Sequence, residues 1–63
     1  MNIQLEESKT KGAFFIEKDG KKAAELTFSK NGDYRIIIDH TEVNEDFKGE
    51  GLGKALVYHA AEY

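Results

Sequence analysis

The sequence predicts an α+β domain, a three- to four-stranded antiparallel meander followed by one amphipathic helix. Three observations carry this. Asp19-Gly20 and Asn31-Gly32 are hairpin dipeptides, since a type I′ turn needs positive φ at both central residues. The segments they join alternate apolar and polar residues with a period of two. The C-terminal segment changes to apolar offsets of three and four, the period of a helix.

In chain order, residues 2–6 carry Ile3 and Leu5 and read as a short edge strand or a frayed end. Residues 12–18 place Phe14 and Ile16 on one face and Phe15 and Glu17 on the other. Residues 22–29 place Ala24, Leu26 and Phe28 together, with Ala23, Glu25 and Thr27 opposite. A further strand runs over residues 34–43, starting at Tyr34. Its Ile36, Ile37 and Ile38 are consecutive, so it points apolar side chains to both faces, as a strand covered on both sides does. One helix cannot cover both faces, so a partner, a ligand or further chain is expected against the second. Residues 44–51 read as loop. Residues 52–63 form the helix, with Leu52, Ala55, Leu56, His59, Ala60 and Tyr63 on its apolar stripe. No C-cap glycine closes it, and continuation beyond Tyr63 is the expectation.

A chain of 63 residues makes one small domain, which buries only about 60% of its unfolded surface. With no cysteine there is no disulfide, thiolate metal site or thiol nucleophile. No metal site is expected. No apolar run is long enough to span a bilayer, and the N-terminus lacks the basic-then-apolar layout of a secretion signal. A cytoplasmic, non-membrane protein is expected. A net charge of −3 argues against a nucleic-acid surface, which needs clustered Lys and Arg.

The loop before the helix carries Gly49 and Gly51, and Gly53 follows in the helix's first turn. Glycines feeding a helix N-terminus let backbone N–H groups converge on an anion, helped by the helix dipole. Two phosphate loops fail on the residues. In a Walker A loop a hydroxyl would follow Gly53-Lys54, but Ala55 does, and Lys48 stands at the first glycine position. The dinucleotide fingerprint would need glycine at Lys54 or at Leu56, and it belongs to a parallel unit.

Lys48-Gly49-Glu50-Gly51-Leu52-Gly53 resembles the acyl-coenzyme A signature [QR]-x-x-G-x-[GA] of the GNAT superfamily of N-acetyltransferases. Gly51 and Gly53 match. Lys48 replaces the usual Gln or Arg, keeping a charge but losing arginine's planar fork. Ile38-Asp39-His40-Thr41-Glu42-Val43 upstream and Phe47 to Val57 around the loop extend the likeness to the small single-domain YjdJ-like type. The resemblance covers residues 12–63. It implies the N-terminal part of a GNAT-like fold, followed by a further strand and helix, and a protein that transfers acetyl from acetyl-CoA to an amine, small-molecule or peptide.

The resemblance also implies a division of labour. The strand backbone at Ile38, His40, Glu42 and Val43 would pair with the pantetheine amides. The loop amides of Lys48, Gly49, Glu50, Gly51, Leu52, Gly53 and Lys54 would hold the pyrophosphate. Glu42, Glu45, Asp46 and Glu50 outnumber Lys48 and Lys54, so fixed N–H dipoles, not side-chain charge, would supply the attraction. A valine at Gly53 is then expected to weaken coenzyme A binding far more than folding. Without the ligand, the same glycines read as a tight turn and nothing more.

Acyl transfer to an amine needs a base. Glu42, Asp39 and His40 are the candidates on the strand. Their structural readings are a solvated strand-end carboxylate, a hydrogen-bonded carboxylate and a packed histidine. His59, on the helix stripe, reads as a core or rim residue, and Tyr58 and Tyr63 as helix-end residues. Two other functions stay open: a non-catalytic acyl-CoA- or peptide-binding module, and a fragment that forms a homodimer through an uncovered sheet face or edge without activity of its own.

Overall fold

The computed structural model describes residues 2–32 and 35–63. Each strand pairs antiparallel with the next in sequence, because the turns are too short for anything else. The strands are β1 (Ile3–Glu7), β2 (Lys11–Lys18), β3 (Lys21–Asn31) and β4 (Arg35–Val43), in the sheet order β1-β2-β3-β4. A single 3-10 turn (Glu45–Phe47) and one helix, α1 (Leu52–Ala61), complete the described chain. The expected antiparallel meander and helix are present. The predicted strand start at Tyr34 lies outside the described residues.

The Asp19-Gly20 turn adopts φ of 53° and 75°, the double positive geometry its sequence predicts. At the second hairpin signal, Asn31 stays in β3 and pairs with Arg35 of β4. The edge strand expected at residues 2–6 forms one residue later, and Tyr63 Oη bonds its Glu7 Oε2.

The register sorts the faces. Leu5 faces Phe14, Phe14 faces Leu26, Ile16 faces Ala24, and Ala24 faces Val43. On this face α1 lays down Leu52, Leu56 and Ala60, all buried. Phe14, Ile16, Leu26 and Phe28 complete the core, with Ile3, Ile36, Val43 and Phe47 packed around it. Burial of these side chains against one another is the main force holding helix to sheet. The ring of Phe14 stacks on Phe28 with centroids 5.3 Å apart and meets the edges of His59 and Tyr63. His59 is thus a rim residue of the core, as its place on the stripe predicts.

Two register shifts bend the sheet. Ile16 pairs with Ala24 but Glu17 with Lys22, which makes Ala23 the extra residue in β3. The Ala23 carbonyl accepts the Asn44 N–H at 2.8 Å and so ties down the loop after β4. Thr27 pairs with His40 but Phe28 with Ile38, which makes Asp39 the extra residue in β4. Such bulges re-aim a strand and gather near functional sites.

The isoleucine run departs from expectation. Covering on both sides is the property of a central strand, whereas β4 is an edge strand of this sheet. Ile36 is half-buried, while Ile37 is 53% and Ile38 44% exposed. No helix among the described residues is long and apolar enough to cross a membrane.

Candidate functional site

The site is built where the end of β4 meets the start of α1. Gly53 sits in the first turn of α1. A Cβ there would stand 3.2 Å from Val43 Cγ2 and 3.7 Å from Thr41 Cγ2. The missing side chain lets the helix N-terminus close onto the last residues of β4. A valine at Gly53 would press on Val43, so folding as well as binding is expected to feel it.

Gly49 and Gly51 have another reason to be glycine. Their φ values are 88° and 74°, left-handed conformations that L side chains avoid, and nothing lies within 4 Å of either missing Cβ. The two positions open onto free space and not onto a packed neighbour. Positive φ at Gly49 and Gly51 is what a tight turn requires, and the close approach at Gly53 is a packing requirement.

The backbone donors at the mouth of the helix are free. Gly51 is the N-cap of α1 and makes no side-chain cap bond. The Lys48 N–H donates to Glu45 O at 3.4 Å, Lys48 and Gly49 form a hydrogen-bonded turn closed by the Glu50 N–H, and helical bonding starts at the Ala55 N–H, which donates to Gly51 O at 3.0 Å. Among the described residues, the amides of residues 51–54 at the mouth of the helix make no backbone hydrogen bond. Unpaired N–H groups at the positive end of a helix are a receptor for an anion.

Side-chain charge around the turn is paired off. Glu45 is 2.9 Å from Lys48, Asp46 is 3.3 Å from Lys21, and Glu50 is bonded to Lys18. Asp46 also donates its N–H to Asn44 Oδ1 at 2.9 Å. Exposed pairs like these add little stability. Their effect is local: the acids that crowd the loop no longer present an unbalanced negative charge to an incoming anion. Lys18 and Lys21 flank the Asp19-Gly20 turn, far away in sequence. The sequence reading missed them, and no motif marks them, because only the fold brings that hairpin to the loop.

The candidate bases lie along β4. Glu42 pairs directly with Glu25, so two carboxylates face each other across strands. Like charges so placed are destabilising, and Lys22 Nζ, 2.8 Å from Glu25, offsets part of this. Asp39, at the bulge, accepts a 2.8 Å hydrogen bond from Ser29 Oγ, which fits its structural reading as a bonded carboxylate. His40 faces Thr27. All three are exposed. Asp39 and His40 share a shallow hollow with Ala13 and Thr27, whereas Glu42 lines another with Val43, Asn44 and Lys22. The structure therefore divides the three between two hollows on one strand.

The family model described as GCN5-related N-acetyl-transferase matches residues 13–63. The chain belongs to that family. The match contains most of β2 and all of β3, β4, the glycine turn and α1, so every candidate residue lies within it. GCN5-related enzymes are acetyltransferases that generally draw on acetyl-CoA, and an acetyltransferase-like function follows at that level. No curated protein matches the chain.

Proposed function

We propose that this GCN5-related domain, of the small YjdJ-like type, binds acetyl-CoA at the junction of β4 and α1 and serves transfer of the acetyl group to an amine. One observation carries the reading: the amides of residues 51–54 at the mouth of α1, without a backbone acceptor among the described residues, open beside the edge strand β4. The residues suit the ligand. The amides of Gly49, Glu50, Gly51, Leu52, Gly53 and Lys54 would hold the pyrophosphate, and Lys48 would stand at its flank. The backbone of Ile38, His40, Glu42 and Val43 would hydrogen-bond the pantetheine amides as an added strand would.

Bound acetyl-CoA supplies an acetyl group activated as a thioester. The chain's own part is to hold and orient it, and to accept the proton of the incoming amine. Glu42 is the first choice for that proton. It is an exposed carboxylate on the cofactor strand, and its repulsion with Glu25 is a local cost of the kind functional sites carry. Asp39 and His40, beside the bulge, are the other choices. The acceptor is an amine, small or peptidic, and the domain acts in the cytoplasm.

Titration with acetyl-CoA, following the backbone amide resonances of Gly49, Gly51 and Gly53, tests the reading. Saturable shifts at these amides are expected. Silence there at millimolar ligand would sink it. Thiol release with a panel of amines then separates an enzyme from a non-catalytic acyl-CoA-binding module.

A further inference from the structure

Asn31-Gly32 closes β3 and carries chemistry of its own. The backbone nitrogen after an asparagine can attack that asparagine's side-chain amide, and the Cβ of the following residue normally obstructs it. Glycine removes the obstruction. Asn31 is the last residue of β3 and is exposed. Gly32 holds φ of 76°, and no described atom lies within 4 Å of the Cβ it lacks. The chain's other two asparagines are obstructed. Asn2 precedes Ile3, whose branched side chain crowds the nitrogen. Asn44 precedes Glu45 and is held in place. Its Oδ1 accepts the Asp46 N–H at 2.9 Å, and its own N–H donates to Ala23 O at 2.8 Å.

We propose that Asn31 is a site of spontaneous covalent modification, which converts it through a cyclic imide to aspartate and isoaspartate. The Gly32 nitrogen loses its proton and bonds to Asn31 Cγ. The Cγ–Nδ2 bond breaks, and that nitrogen takes up the proton and leaves as ammonia. Water then opens the imide ring at either of its carbonyls. Opening at Cγ frees a side-chain carboxylate and gives aspartate. Opening at the main-chain carbonyl gives isoaspartate, in which the chain runs on through the side chain and gains a methylene. Water is the sole co-reactant, and each conversion makes the net charge of −3 more negative.

The two products act oppositely on the sheet. Asn31 pairs with Arg35, so the two side chains stand on one face. An aspartate at this position sets a carboxylate opposite a guanidinium, which is a favourable cross-strand pair. Isoaspartate lengthens the backbone at the pair where β3 and β4 first join. It disturbs that end of the ladder as a bulge does, and the Asn31–Arg35 pairing is lost first. Asp19-Gly20 shares the dipeptide chemistry but has no amide to lose, so ring opening there leaves the mass unchanged.

Ageing the folded full chain at mildly alkaline pH, with peptide mass spectrometry over time, tests the site. The peptide carrying Asn31 should gain the mass of an amide-to-acid conversion, and faster as pH rises, because the attacking nitrogen must lose its proton. The Asn2 and Asn44 peptides should lag behind it. The product should divide into two forms of equal mass, of which an isoaspartyl methyltransferase labels one at residue 31. Asn31→Gln, which would have to close a larger ring, should keep its mass. Asn31→Asp should unfold at or above the wild-type temperature, whereas aged protein should unfold below that variant. A folded chain whose Asn31 peptide keeps its mass, while the same chain in urea converts, overturns the proposal, because the hairpin then protects the amide. Conversion at Asn44 as fast as at Asn31 overturns it as well, and so does a mass gain in Asn31→Gln equal to the wild type's.

Discussion

The ring of Phe28 fills the space that a side chain on Gly12 would need. The two residues face each other across β2 and β3, and a Cβ built on Gly12 would stand 2.3 Å from Phe28 Cζ. Gly12→Ala should therefore destabilise the domain by about 1–3 kcal/mol, the usual range for overpacking a core. Urea unfolding should show an earlier midpoint. Trimming the ring with Phe28→Leu in the same background should recover part of the loss, and no recovery would place the cost elsewhere than this contact.

The glycines of the turn should separate by cause. Gly49→Ala and Gly51→Ala must hold an alanine in the left-handed region, at a cost of roughly 1–2 kcal/mol each. Neither meets a neighbour, so the rest of the fold should persist. Acetyl-CoA affinity, measured by calorimetry, should fall more steeply than stability. Gly53→Val should lose both together, because its side chain would press on Val43.

Glu42→Gln should make the domain more stable while weakening acetyl transfer. Removing one of two facing carboxylates relieves about 0.2–1 kcal/mol of cross-strand repulsion. Thermal unfolding and thiol release on the same preparation check the two halves. A stabilised variant with unchanged turnover would remove Glu42 as the base and move attention to Asp39 and His40.

Lys18→Gln should weaken acetyl-CoA binding, and more so at low salt, because it leaves Glu50 unbalanced beside the amides of the turn. Adding Glu50→Gln should restore binding toward the wild-type value. A double-mutant cycle in which the two losses simply add would show that the pair does nothing for the site.

The Glu7 cluster should give the domain a stability that fades in acid. Hydrogen bonds from Lys30 and Tyr63 hold the Glu7 carboxyl below its ordinary value of 4.5. A lowered folded-state pKa contributes stability that is complete above the ordinary value and is lost as pH falls through the folded one. Glu7→Gln should thus flatten the acid limb of a plot of Tm against pH. At the alkaline end the sign reverses. Glu7 raises the pKa of Tyr63, so that contribution is lost as pH rises through the raised value.

Much of the fold was legible because local rules and the register agree. Asp19-Gly20 could hardly be anything but a I′ turn, and alternation in β2 and β3 named Phe14, Ile16, Ala24, Leu26 and Phe28 as one buried face, although Phe15 and Ala23, read as opposite, are buried too, Ala23 through the bulge. The glycine signature located the mouth of α1. What could not be read was whatever depends on one element meeting another. The Asp39 bulge has no residue signature, since it comes from a mismatch in register between β3 and β4. The short 3-10 turn is fixed by Asn44, which accepts from Asp46 and reaches back to Ala23. The isoleucine run looked like a doubly covered strand because composition reports apolar content, not strand order. Gly53 read as part of a cradle or of a tight turn, since spacing cannot reveal that Val43 lies beside it.

The hydrogen bond between Tyr63 and Glu7 joins residues 56 apart in sequence. Nearly every other contact in the sheet is between strands that follow one another, and such local wiring favours rapid folding. The meander can assemble one hairpin at a time, but this clasp requires both ends of the described chain to have arrived. Tyr63 is thus expected to engage late in folding. Its removal should speed unfolding while leaving the folding rate nearly unchanged.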